Sequence, residues 1–268
     1  MTKPFFAGNW KMYQTVSSAT SFLDALVKRQ SVLERVDIGI FPPYPFLSLF
    51  QQKLKGTAFF YGGQTLHEEE QGAFTGEVSG KILKEFAATH VLVGHSERRQ
   101  LFNERDDLLQ KKVVAAQKVG LIPILCVGET LEERERGETR TRVEHQLEKG
   151  LALAASTKTF IQGEKEGPTL TLFEIAYEPV WAIGTGKVAT PSQANEVHQW
   201  IREWLTRRFP LAKPRILYGG SVKPENVKGL MQEPFIDGAL IGGASLDFAT
   251  FEKIFEEGGS ATSLKKLS

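Results

Sequence analysis

Short apolar runs recur along the chain, each closing on Gly, Pro or a polar residue. They occupy residues 5–8, 36–42, 58–63, 90–94, 122–128, 174–179, 215–220 and 237–243. Their length, their β-branched and aromatic content and their glycine stops predict eight strands. The runs are nearly continuous in apolarity rather than alternating, which predicts strands buried on both faces, as in a parallel sheet. Between them lie amphipathic stretches. Phe22, Leu23, Leu26 and Val27 share one helical face. Val197, Trp200, Ile201, Trp204 and Leu205 share another, and Leu108, Leu109, Val113 and Ala116 a third. Thr190-Pro191 and Lys223-Pro224 place Pro near a first helical turn. Strand–helix alternation eight times over predicts an α/β fold, a (β/α)8 barrel in a single domain over residues 1–258. An open, doubly wound sheet is the alternative, because periodicity does not report closure. Residues 156–169 read as one long polar connection, and 259–268 as a short, disordered C-terminal tail.

Composition narrows the function classes. Among 268 residues, 33 Lys and Arg balance 32 Asp and Glu, for a net charge of +1. That balance argues against a nucleic-acid partner or an acidic membrane surface, while leaving room for a local anion site. Cys126 is the single cysteine. An intrachain disulfide framework and a multi-cysteine zinc site are therefore excluded, and a reducing, cytoplasmic setting is expected. No apolar run approaches the roughly 18 residues of a membrane span. The opening Phe5-Phe6-Ala7 is too short for the core of a signal peptide.

Three motif-like segments fail on inspection. His67-Glu68-Glu69-Glu70-Gln71 has Gln where a zinc-protease helix needs its second His. Gly184-Thr185-Gly186-Lys187 lacks the upstream Gly and the following Ser or Thr of a P-loop. No Gly-x-Gly-x-x-Gly follows the first strand, so a dinucleotide site has no support. No metal constellation and no cofactor are expected.

Barrel chemistry sits where strands end. Asn9 and Lys11 follow the first run; His95, Ser96 and Glu97 follow the fourth; Glu178 closes the sixth. Gly219-Gly220-Ser221 and Gly242-Gly243-Ala244-Ser245 follow the seventh and eighth. Each alone has an ordinary structural explanation. Together, a carboxylate, an imidazole, an ammonium and several glycine amides on one rim are the parts of an acid–base site for an anionic substrate. Glycines after strands seven and eight let backbone N–H groups approach a phosphate closely.

Several segments carry a resemblance to a known family. They are Gly8-Asn9-Trp10-Lys11-Met12, Val93-Gly94-His95-Ser96-Glu97-Arg98-Arg99 and the stretch from Ala176 to Lys187 (AYEPVWAIGTGK). With Gly72–Glu77, Cys126–Glu129, Tyr218–Ser221 and Gly242–Leu246 they resemble the triosephosphate isomerase family, in order from residue 5 to about 255. The resemblance implies interconversion of dihydroxyacetone phosphate and D-glyceraldehyde 3-phosphate through an enediolate, in glycolysis and gluconeogenesis, without a cofactor. It implies Glu178 as base, His95 as electrophile and Lys11 as the cation for developing charge. It implies substrate or phosphate contacts from Asn9, Lys11, Gly184, Ser221, Gly242 and Gly243, with Ser96, Glu97 and Cys126 in support. Residues 179–187 would form a lid. Residues 72–77 would reach into a neighbouring subunit of a homodimer. Thr65, Glu68 and Tyr13 depart from the residues common in the family; none carries an assigned chemical role, and Thr65 and Glu68 bear on the interface rather than on the chemistry.

Overall fold

The computed structural model describes residues 3–154, 173–183, 188–210 and 212–265. The connection 156–169 lies outside them. Eight strands form: β1 (Phe5–Asn9), β2 (Asp37–Phe41), β3 (Phe60–Gly63), β4 (His90–Val93), β5 (Ile122–Val127), β6 (Glu174–Tyr177), β7 (Ile216–Tyr218) and β8 (Gly238–Ile241). All neighbours pair in parallel, and β1 closes on β8 with Phe5 opposite Gly238. Closure removes the open-sheet alternative.

The continuous apolarity of the strands follows from this closure. Alternate residues point to two different cores. Phe5, Ala7, Phe41, Leu92, Ile124, Cys126, Ala176, Leu217 and Leu240 fill the barrel interior. Their strand neighbours, including Phe6, Ile40, Val91, Leu125, Ile175 and Tyr177, pack outward against the helices.

Those helices are α1 (Val16–Val27), α2 (Leu47–Lys53), α3 (Gly80–Glu85), α4 (Ser96–Leu101), α5 (Asp106–Lys118), α6 (Leu131–Glu135), α7 (Thr139–Leu151), α8 (Pro191–Arg208), α9 (Pro224–Gln232) and α10 (Phe248–Lys265). Thr15, Thr130 and Thr190 cap α1, α6 and α8 by accepting hydrogen bonds from the third helical N–H. Such a cap satisfies one of the orphan donors of the first turn.

Two expectations change. The third amphipathic face holds Leu109, Val113 and Ala116, but Leu108 is only half-buried and Lys112 is buried on that face. The Lys112 ammonium lies 2.6 Å from buried Glu104, which Arg98 also contacts at 2.8 Å, and donates to Thr65 Oγ1 at 3.0 Å. The tail expected to be disordered from 259 is instead helical through Lys265. Small residues permit this. A side chain at Gly258 would meet the Phe6 ring at 2.5 Å, one at Gly259 would meet Val36 at 2.5 Å, and Ala261 is buried.

Charged groups close the N-terminal end of the barrel. Arg215 donates to Glu174 and Asp37, each at 2.6 Å, with its guanidinium over the Phe5 ring. His90 is buried beside them, its ring packed at a tilt against those of Phe5 and Phe60. The opposite end, where the strands finish, carries the cavity described next.

Candidate active site

Asn9 ends β1, and its Oδ1 accepts the Lys11 N–H at 3.0 Å. Trp10 between them is wholly buried, packed on Phe22 and Phe50, and its indole N–H donates to Ser245 O at 3.0 Å. Lys11 then adopts φ +49°, in the left-handed region. Such a backbone costs on the order of 1–3 kcal/mol in a non-glycine residue and persists only where its surroundings impose it. Gln64 supplies that constraint: its amide donates to Lys11 O at 2.7 Å and to Phe41 O at 2.9 Å. The strained turn sends the ammonium to Glu97, 2.6 Å away. The Lys11 chain also passes Gly242, where an added Cβ would stand 3.4 Å from its Cε.

His95 follows β4 through Gly94, whose φ of +71° turns the chain. Its Nδ1 accepts the Glu97 N–H at 3.2 Å. An acceptor at Nδ1 requires that the neutral ring carry its proton on Nε2. Nε2 lies 2.9 Å from Glu178 Oε1. Burial by itself lowers the imidazole pKa, but the charge and hydrogen bond of Glu178 outweigh it and leave the pKa raised. That rise lasts only while the carboxylate rests on the ring.

Glu178 is the first residue past β6 and is buried. Its Oε2 accepts the Ser96 N–H at 2.8 Å, so Ser96 acts through its backbone. Its own N–H donates to Val127 O at 2.7 Å. The neighbouring strand ends press close: a Cβ at Gly128 would fall 1.7 Å from Glu178 O, and one at Gly219 would fall 2.8 Å from its Cγ. Glycine at 128 admits the Glu178 main chain and glycine at 219 its side chain. Cys126 lies in the barrel interior, and burial pushes its thiol well above the usual range, leaving an inert packing group rather than a nucleophile.

Asn9, Lys11, His95, Glu178, Ser221, Gly242 and Gly243 all line one cavity of about 290 Å3, with Ile183 at its mouth. Gly184, expected on the phosphate, lies outside the described residues. Ser245 holds the β8 loop by donating to Gly242 O at 2.7 Å.

The sequence of this site matches a known family along nearly its whole length. The triosephosphate isomerase model covers residues 4–258. The chain belongs to that family. It is 50% identical over 257 residues to the triosephosphate isomerase of Carboxydothermus hydrogenoformans, covering 95% of this chain and 98% of that one. It is 48% identical over 260 residues to that of Citrifermentans bemidjiense, with the same coverage. Among solved structures, the crystal structure of triosephosphate isomerase from Bartonella henselae matches with a TM-score of 0.80 at 38% identity, over 96% of this chain and 99% of that one. As a member of the triosephosphate isomerase family, the chain is an isomerase.

Two contributors to the site carried no role in the sequence reading. Gln64 imposes the Lys11 turn from β3. Glu129, buried after β5, accepts from Tyr177 OH at 3.1 Å, Trp181 Nε1 at 2.9 Å and Arg134 at 3.2 Å. Its carbonyl also accepts the Val180 N–H. It thereby anchors the first residues after Glu178. Their signal was positional: each immediately follows a Gly at the close of an apolar run, Gly63 and Gly128.

Proposed function

We propose that this cavity interconverts dihydroxyacetone phosphate and D-glyceraldehyde 3-phosphate by proton transfer through an enediolate, with Glu178, His95 and Lys11 as the catalytic residues. Glu178 takes a proton from the carbon next to the carbonyl, the C–H electron pair forms the enediolate double bond, and the carbonyl oxygen becomes anionic. The substrate oxygen displaces the carboxylate from His95 Nε2–H, which donates to the growing charge, and Lys11 supplies a full positive charge. The imidazole moves a proton between the two enediolate oxygens, and Glu178 returns its proton to the neighbouring carbon. Atoms balance without oxidant, metal or cofactor. A positioned base contributes about 10²–10⁴-fold, and a preorganised donor to the oxyanion about 2.7–4 kcal/mol.

The observation that carries this reading is the pair of His95 Nε2 and Glu178 Oε1, a proton donor and a base 2.9 Å apart on one cavity wall. The phosphate is assigned to the β7 and β8 loops. Among the described residues, the N–H groups of Gly220, Ser221, Val222, Gly242, Gly243 and Ala244 donate to no protein acceptor. Such runs of free N–H groups suit a dianion. Asn9 orders the Lys11 turn, and Glu97 holds the ammonium between turnovers. Residues 179–187 close over the bound substrate, with Ile183 excluding water.

The working form is a homodimer in the cytoplasm. Met12, Tyr13, Phe74, Leu101 and Phe102 are exposed on the segments that follow β1, β3 and β4, Leu101 as the last residue of α4. Large apolar side chains exposed on several segments at the same end of the barrel suit an interaction surface. Phe74 sits within 72–77, the segment assigned to reach the partner. No helix of the described residues is long and apolar enough to cross a membrane.

The test is Glu178→Gln, which keeps size and polarity and removes the proton acceptor. In a coupled assay with glyceraldehyde 3-phosphate, kcat falls at least ~10²-fold while KM changes little. Near-parental kcat in a correctly folded variant would remove Glu178 from the role of base.

A further inference from the structure

The β7–α9 loop, residues 219–223, is the longer wall of the phosphate-facing part of the cavity. Its first residue is pinned to the barrel, because Gly219 N–H donates to Tyr177 O at 2.7 Å. Its last residue is tied to α9, where Lys223 O accepts the N–H groups of Asn226 and Val227, and one side chain bridges the stretch before it. Asn226, the third residue of α9, accepts the Lys223 N–H on Oδ1 at 2.8 Å and donates from Nδ2 to Ser221 O at 2.9 Å. Lys223 N–H and Ser221 O are thereby both engaged by one side chain. A carbonyl oxygen facing the cavity would oppose a phosphate. With Ser221 O held by the carboxamide, that carbonyl is kept from the cavity, and the N–H groups of Gly220, Ser221 and Val222 are left without a protein acceptor among the described residues.

The geometry points to Asn226 as a positioning residue that sets the phosphate specificity of the site by clamping the β7–α9 loop with its N–H groups inward. The inference rests on the assignment of the phosphate to this loop. Asn226 touches no substrate; it acts through the loop backbone. The clamp needs a donor and an acceptor on one short, planar side chain. Asp has the acceptor without the donor, and Ser is too short to span both groups.

Two variants and one truncated substrate separate the possibilities. Asn226→Asp sets a carboxylate against Ser221 O but places a negative charge in the first turn of α9, where the helix dipole favours it. Its thermal midpoint therefore stays at or above that of the parent. Asn226→Ser is neutral and suited to a helix start. Loss of one hydrogen-bonded constraint is expected to raise KM for glyceraldehyde 3-phosphate and Ki for inorganic phosphate by about tenfold in both variants. Turnover of glyceraldehyde, which has no phosphate, stays at the parental rate. Parental KM and Ki in Asn226→Ser overturn the clamp, because the Asp effect is then charge alone. A parallel loss on glyceraldehyde also overturns it, since the damage is then general. If inorganic phosphate fails to compete with substrate in the parent enzyme, the phosphate assignment itself falls, and the role of Asn226 with it.

Discussion

Acidification is expected to destabilise this barrel through one buried imidazole. His90 opens β4 at the closed end, with its ring between Phe5 and Phe60 and Nδ1 2.8 Å from Thr89 Oγ1. Burial, aided by the positive charge of Arg215, pushes its pKa down from 6.5 to about 3. In the unfolded chain the same ring titrates near 6.5. Above that value both states are neutral and the ring contributes no pH dependence. Below it the unfolded state binds a proton that the folded state refuses, so stability falls by about 1.4 kcal/mol per pH unit. Between about pH 7 and pH 5 the loss is about 2 kcal/mol. The result barely depends on the folded value, because a ring with a pKa of about 4 would still be mostly neutral at about pH 5. Glu174 on the same floor works in the opposite direction. Burial raises its carboxyl pKa against the pull of Arg215, so its contribution grows as pH falls through the folded value. Comparison with His90→Gln removes that background, because Glu174, Arg215 and Asp37 are common to both proteins. The measurement is urea unfolding of the two proteins at equal concentration, at several pH values across this interval. The stability of the parent relative to the variant is expected to drop by about 2 kcal/mol over the interval. Parallel pH dependences would refute the reasoning, since they would mean that His90 is protonated to the same extent folded and unfolded.

Lys112→Met leaves buried Glu104 with Arg98 as its remaining partner, and the cost of breaking such a pair is about 3 kcal/mol, read as a lower urea midpoint at unchanged slope. An unchanged midpoint would show that the ammonium is dispensable to the fold. Replacing residues 72–77 by a short turn is expected to give a monomer of much lower activity, and sedimentation showing a dimer, or a fully active monomer, would contradict the interface. Deleting 183–186 is expected to lower kcat and to release inorganic phosphate as a measurable fraction of turnover, because an unshielded enediolate can expel the adjacent phosphate. Slow isomerisation without added phosphate release would remove the protective role from that segment.

The elements were legible because burial on both strand faces leaves a local trace. A parallel strand between two cores is apolar at nearly every position away from its ends, and the eight runs showed that without reference to one another. The helix starts at Thr190-Pro191 and Lys223-Pro224 were legible for a similar reason, since the first turn of a helix is chemically distinct. Lys112 was not legible. In its own helix it reads as a solvated charge, and only Glu104 and Thr65 arriving from elsewhere make its burial possible. A terminal, Ser- and Lys-containing stretch reads locally as a frayed end; the missing side chains of Gly258 and Gly259 instead let α10 lie against Phe6 and Val36.

The candidate site divides along the same line. Which residue types stand at the strand ends, and the resemblance they carry to the triosephosphate isomerase family, were written in the sequence alone. Their mutual geometry was not. The contact between Lys11 and Glu97 spans 86 positions and that between Ser96 and Glu178 spans 82. Barrel closure, the strained turn at Lys11 and the contact of His95 Nε2 with Glu178 depend on groups brought together by the tertiary structure, whereas the Asn226 bonds reach only three and five positions along the chain. A local pattern records whether a side chain faces water or core; direction, tautomer and distance are set by neighbours that only folding supplies.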